Sequence, residues 1–296
     1  MKTISVVINL DTRAGWLEDY SKEDAGRTGP ANKGTRSLDY LMDGVENKRR
    51  FFHELPLEIV LYIDVHEPLP DHVLAYLHRQ LNEKKIDVLC FSRHRETLEG
   101  NLCLYHSDLA YVDALSLARG NYVAHFDADM AAFSVDSAPI REWLDMLDRE
   151  EHDFICYPSK FSPRTTNDPA FDYMWASTRF FLCLRSRISD NEEIRHCLRD
   201  PDYLYRTYGE RKMRTPWTEH ILGLMADRSN GGHGVWYPPM DAMRYLIFSW
   251  TCYYVGILGK LNALPYVAVR KQVHDEWGSD YGGIYYPCDI TPKPLP

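Results

Sequence analysis

The sequence predicts an α/β protein built on a mostly parallel central sheet flanked by helices. Three observations carry this expectation. Four short apolar, partly β-branched runs fall in the first 130 positions of a 296-residue chain. Helix-like stretches separate them, and the fourth run ends in two carboxylates. Strands that alternate with helices imply βαβ units and a parallel sheet. Ligands of such sheets bind beyond the carboxyl ends of the strands.

The first strand is expected over residues 4–10, where Ile4-Ser5-Val6-Val7-Ile8 follows the N-terminus directly. From residue 16 to 36 the composition turns charged and glycine-containing without periodicity, the mark of a long and often functional loop. Residues 37–55 then read as a helix, 57–64 as the second strand, 71–84 as a helix and 86–92 as the third strand. A helix over residues 106–119 places Ala110, Ala114 and Ala118 at i, i+4 and i+8. The fourth strand covers 121–127. The second half is less regular: a helix over 140–151, strands over 153–157 and 179–184, helices over 219–226 and 241–261, and a final strand over 266–270. Four prolines in residues 287–296 predict an extended tail.

Composition narrows the function. A net charge of −9 argues against non-specific nucleic-acid binding, and a polyanionic ligand would need a metal ion or a local cluster of Arg and Lys. Seven cysteines, with no C-x-x-C pair, make a poor disulfide framework and read as small buried hydrophobes. With a strand rather than a signal peptide at the N-terminus, the expectation is a reduced, cytoplasmic setting. The apolar stretch 245–259 is bracketed by Arg244 and Lys260 and is too short for the roughly 20 residues of a spanning helix. It reads as a buried helix, with peripheral contact at the inner face of a membrane as the alternative.

The chemistry concentrates at the end of the fourth strand, in Gly120-Asn121-Tyr122-Val123-Ala124-His125-Phe126-Asp127-Ala128-Asp129-Met130. Side chains at i and i+2 leave a strand on one side, so Asp127 and Asp129 point together past the sheet edge. Two adjacent like charges repel unless a cation joins them. Carboxylate oxygens suit Mg²⁺ and Mn²⁺, typically held by one or two carboxylates plus substrate phosphates. The plainer reading is a solvated turn with two capping aspartates.

The segment from His106 to Met130 resembles the core of family 2 glycosyltransferases. The resemblance rests on Ala110, Ala114, Ala118-Arg119-Gly120, Tyr122-Val123 and Phe126-Asp127-Ala128-Asp129. It covers residues 1–185 well and the remainder loosely. It implies a GT-A, Rossmann-like fold in a single domain over 1–296, with residues 1–130 as a nucleotide-sugar-binding half and 131–296 as a smaller, more irregular acceptor-binding half. It also implies an activity: metal-dependent, hexosyltransferase-like transfer of a sugar from a nucleotide-diphosphate donor to a glycan or lipid-linked hydroxyl, with inversion, as in polysaccharide biosynthesis. Such enzymes line the nucleotide pocket with the loop after the first strand, here Asn9, Asp11 and Thr12. Asp64 matches an acidic contact to the nucleoside at the second strand's end, although the common Asp-Asp-Gly-Ser pattern is missing. Arg93 or Arg95 would balance phosphate charge, or be surface arginines. Asp127 would meet the ribose or the metal, and Asp129 would ligate Mn²⁺ or Mg²⁺. His274 is the choice for a third metal ligand and His233 the second choice. Glu219 is the candidate general base in Thr218-Glu219-His220, where the family more often shows Glu-Asp; a carboxylate there also suits a helix N-terminus. Tryptophans concentrated in the second half suit an acceptor groove, and Arg179 suits an acceptor or phosphate contact.

Two rival readings remain. A sugar-1-phosphate nucleotidyltransferase shares the architecture and carries Gly-Thr-Arg after its first strand; Gly34-Thr35-Arg36 repeats the tripeptide but stands more than twenty residues too late. The other is a glycan- or nucleotide-binding module without catalysis. Neither a G-x-S-x-G elbow nor an H-E-x-x-H zinc motif is present.

Overall fold

Alternation along the first strand sends Ile4, Val6, Ile8 and Leu10 into one hydrophobic core and Val7 into another. The sheet is therefore buried on both faces, as a parallel sheet covered by helices must be. The computed structural model describes residues 2–11, 38–65, 68–92, 113–128, 130–157, 176–177, 179–188, 192, 222–223, 225–228, 231–238, 244–249 and 257–277.

Four strands follow the expected order: β1 (Ile4–Asp11), β2 (Leu57–Asp64), β3 (Val88–Ser92) and β4 (Tyr122–Asp127). Helices α1 (Leu38–Phe51) and α2 (Asp71–Asn82) connect the first three. Past β4 come β5 (Met130–Ser134), α3 (Ala138–Asp148), β6 (Phe154–Cys156) and β7 (Phe180–Leu184). β8 (Val235–Trp236), β9 (Tyr245–Ser249), α4 (Ile257–Asn262) and α5 (Tyr266–Trp277) complete the described elements.

A seven-stranded sheet runs β3-β2-β1-β4-β7-β6-β8, and β5 pairs with β9 in a separate two-stranded sheet. β3, β2, β1 and β4 are mutually parallel, while β7 is antiparallel to both its neighbours. One sheet thus draws strands from both sides of residue 130. On one face, Ile59, Leu61, Ala124, Phe126 and Phe180 pack with Leu41 and Val45 of α1, Leu77 of α2 and Trp143 of α3. On the other, Val60, Tyr62, Val123 and Phe181 pack with Ala114, Leu115 and Ala118. These two alanines belong to the predicted alanine-rich helix, of which residues 113–116 are described as helical. Cys156 and Cys183 are fully buried in this second core as free thiols, and burial pushes both far from ionisation.

A buried polar hub fixes where β4 starts. The Gly120 N–H donates to Ser5 Oγ at 2.7 Å, and Ser5 Oγ donates in turn to Glu58. Glu58 also accepts from the Arg119 backbone at 2.9 Å and its guanidinium at 2.6 Å. Burial, the largest single influence, raises the Glu58 carboxyl, but these bonds together outweigh it and hold it below the ordinary carboxylate value.

Two expectations are corrected in the C-terminal half. Residues 241–261 do not form one helix. Tyr245–Ser249 is a strand, paired Met130↔Ser249 through Ser134↔Tyr245, and among the described residues of this span the helix is Ile257–Asn262. A short apolar run fits either period, and here a strand partner decides it. Residues 266–270 begin helix α5 instead of forming a last strand: the Ala268 and Val269 N–H groups both bond the Pro265 carbonyl. Val269 is buried while Val267 is exposed, which helical spacing explains. Among the described residues no helix is long and apolar enough to cross a membrane.

Candidate functional site

Strand register assembles the carboxyl edge of the parallel strands. Asp127 at the end of β4 lies level with Asn9 of β1, Asp11 lies level with Asp64, and Asp64 level with Ser92. Residues level in a parallel pair share a face, so these polar positions line one side of the edge. They stand on the same face as Val7 and Val123, above the second core. The chain reverses direction across the sheet here: β2 and β3 lie to one side of β1, and β4 lies to the other. This is the switch point at which open α/β sheets bind ligands.

Asp127 is partly buried, and its N–H donates to the Arg179 carbonyl at 3.0 Å. Because Phe126 pairs with Phe180, Arg179 stands directly across from Asp127 at the start of β7. Asn9 Oδ1 is buried without a hydrogen-bond partner among the described residues. A buried amide oxygen left unpaired costs roughly 1–3 kcal/mol, which a ligand donor or cation would recover. A carboxylate beside an orphaned carbonyl oxygen is a donor set suited to a hard divalent cation or a ribose hydroxyl. Among the described residues no group of three potential metal ligands occurs. Such a cation needs no protein cage of that size when substrate phosphates complete its shell.

Of the other predicted residues, Asp11 and Asp64 are placed at strand ends by their backbones, and their side chains lie outside the described set. Thr12, Arg93, Arg95, Asp129 and Glu219 lie outside the described residues altogether. His274 falls within α5, not after a last strand, and its side chain too is outside that set. His233 belongs elsewhere. Its N–H donates to Asp153 Oδ2 at 2.6 Å, and its Nδ1 is 2.8 Å from Arg187. Arg187 also pairs with Asp153 at 3.0 Å. Phe154 is level with Cys183, and Cys183 with Val123, four residues before Asp127. At about 3.3 Å per residue, this cluster stands at least ~13 Å from the carboxyl edge, beyond reach of a metal shared with Asp127.

Sequence reasoning missed the supports beneath the acidic turn. Lys48 of α1 is fully buried and donates to the Met130 carbonyl. Asn47 accepts from the Ala132 N–H at 2.8 Å and donates to Asn262 at 3.1 Å. A signal was available: Leu41, Val45 and Lys48 share one helical face at i, i+4 and i+7, which puts a lysine inside an apolar stripe.

No family model matches the chain, and no curated protein does. Among solved structures, the S. aureus TarS 1-349 complex with UDP aligns at 16% identity and a TM-score of 0.34, covering 65% of this chain and 49% of that one. The galactosyltransferase LgtC with donor and acceptor sugar analogs aligns at 12% and 0.46, covering 79% and 72%. The mannosyltransferase PcManGT from Pyrobaculum calidifontis, in complex with GDP-Man and Mn²⁺, aligns at 14% and 0.41, covering 80% and 54%. This chain therefore spans about half the length of the TarS 1-349 and PcManGT structures. At these identities and TM-scores the likenesses carry no argument. What the chain itself shows is a sheet in the order β3-β2-β1-β4 with a carboxylate at the end of β4. The fold is α/β, with a mixed, mostly parallel seven-stranded sheet flanked by helices. In this sheet Asn9, Asp11, Asp64 and Asp127 stand at the carboxyl edge of the parallel strands, and the Asp153 cluster stands at the opposite edge.

Proposed function

We propose that this chain transfers a sugar from a nucleotide-diphosphate donor to a hydroxyl group of a glycan or lipid-linked acceptor. The observation that carries the reading is the register at the switch point, where Asp127 stands beside Asn9, and Asp11 beside Asp64. In this reading Asn9, Asp11, Thr12 and Asp64 hold the base and ribose. Arg93, together with Arg179 across from Asp127, offsets phosphate charge. Asp127 and Asp129, with His274 as third ligand, would hold Mn²⁺ or Mg²⁺, which supplies Lewis-acid stabilisation of the departing diphosphate. Glu219 takes the acceptor proton as general base, consistent with inversion. The first 130 residues then serve the donor and the remainder the acceptor.

The test is thermal stability with UDP, GDP, CDP and dTDP, each with and without Mn²⁺, in wild type, Asp127→Ala and Asp129→Ala. A ligand at about 100 times its dissociation constant adds roughly 2.7 kcal/mol to the folded state. One nucleotide should stabilise the wild type only with metal, and both substitutions should abolish the gain. No stabilisation under any condition sinks the donor reading. Turnover then separates the rivals: a glycosyltransferase releases a nucleoside diphosphate and a nucleotidyltransferase releases pyrophosphate, while a binding module releases neither.

A further inference from the structure

Resting on that donor-site reading, we infer that Lys48 is the positioning residue of the acidic turn. It bonds the Met130 carbonyl and lies over Phe126, on either side of the acidic pair in the chain, and through these contacts it sets how tightly the carboxylates take a cation. Three observations carry the inference.

Lys48 is fully buried, which is rare for a lysine and costs several kcal/mol unless the ammonium is well satisfied. A lysine serving only helix propensity or solubility would sit on the exposed face of α1. Its ammonium instead reaches the turn. It donates to the Met130 carbonyl and lies 5.3 Å from the centre of the Phe126 ring. The two contacts bracket Asp127, Ala128 and Asp129 in the chain.

The second observation is how closely α1 approaches the turn. A Cβ built on Gly44, one helical turn before Lys48, would stand 3.8 Å from Lys48 Nζ and 3.9 Å from the Ala128 carbonyl oxygen. The ammonium and a second turn carbonyl therefore converge over one spot on the helix. The third is the neighbouring anchor. Asn47 receives the Ala132 N–H at 2.8 Å, and Asn262, its own partner, donates to the Asp43 carbonyl at 2.9 Å. Helix α1 thus grips β5 immediately after the acidic pair.

Two carboxylates meant for one cation repel while the cation is absent. A turn that can relax will separate them, and each later binding event must bring them back. A backbone clamp at Met130 removes that freedom in advance, which is the role that supports behind metal ligands commonly play.

The experiment is a Mn²⁺ titration of the full chain, read by the loss of the free Mn²⁺ resonance signal. It is run with the nucleoside diphosphate that the stability panel selects, on wild type, Lys48→Met and Lys48→Gln, with thermal melting in parallel. Lys48→Met removes the donor and should raise the Mn²⁺ dissociation constant about tenfold or more, the usual loss for such a support. Lys48→Gln keeps a donor on a shorter arm and should lose several-fold less. A role in stability alone would lower both melting temperatures and leave the constant unmoved. Wild-type or tighter Mn²⁺ affinity in whichever variant folds overturns the inference while the donor-site reading survives. A wild type that takes up no Mn²⁺ overturns both.

Discussion

Replacing Gly120 by alanine asks one methyl group to enter the space between β1 and the turn before β4. An ideal Cβ there would lie 2.7 Å from both the Ser5 amide nitrogen and the Thr3 carbonyl oxygen, and 2.8 Å from Ser5 Oγ. Ordinary contact begins near 3.4 Å, so the shortfall is roughly 0.7 Å. The obstructing nitrogen and oxygen belong to the backbone at the start of β1, which pairs with β2 on one side and β4 on the other. Overpacking costs about 1–3 kcal/mol, and unyielding backbone places this case at the upper end. Stretching the Gly120 bond to Ser5 Oγ adds about 1 kcal/mol. The lower entropy of the unfolded alanine chain offsets about 0.4–1 kcal/mol. The net expectation is a loss of about 3 kcal/mol, read as a shifted urea midpoint at unchanged slope. Gly44→Ala is the paired control. Its Cβ meets only ordinary contacts at 3.8 and 3.9 Å inside a helix, so it should gain about 0.5–1 kcal/mol. Gly120→Ala within 0.5 kcal/mol of wild type, or Gly44→Ala losing as much as Gly120→Ala, would refute the steric argument.

Two further perturbations test the hubs at the sheet's other edge. The folded Glu58 carboxyl is held below its ordinary value of 4.5, so its contribution is complete above that pH and is lost as pH falls through the lower folded value. Glu58→Gln should therefore be less stable at pH 7 and show a flatter loss in acid denaturation; an acid slope identical to wild type contradicts the hub. Asp153→Ala strips the carboxylate from Arg187 and the His233 N–H, and should cost about 3 kcal/mol. Its nucleotide-plus-Mn²⁺ stabilisation should match wild type, because the cluster lies far from Asp127; loss of that stabilisation in a folded variant would return His233 to the donor site.

The sequence by itself determined the α/β class, the four parallel strands and the place of Asp127 at the end of the fourth. Period-two alternation, β-branched runs and helical spacing are local properties, and they survive in one dimension. Residues 4–10 and 121–127 could therefore be read as strands directly. Tertiary structure decided what depends on a partner. The run 245–249 is apolar enough for helix or strand, and only pairing with Met130–Ser134 makes it β9. Residues 266–270 carry β-branched valines, yet the Pro265 carbonyl accepts the Ala268 and Val269 N–H groups and starts a helix there. In sequence His274 ranked as the first choice of third ligand and His233 as the second. Register alone shows that His233 belongs to the edge opposite Asp127, because distance along a strand is visible only once strands are aligned. Lys48 could be noticed as a charge in an apolar stripe, but its object, the Met130 carbonyl, is 82 positions away. A buried charge is tolerated only for what it touches, and long-range contact is what a linear sequence does not display.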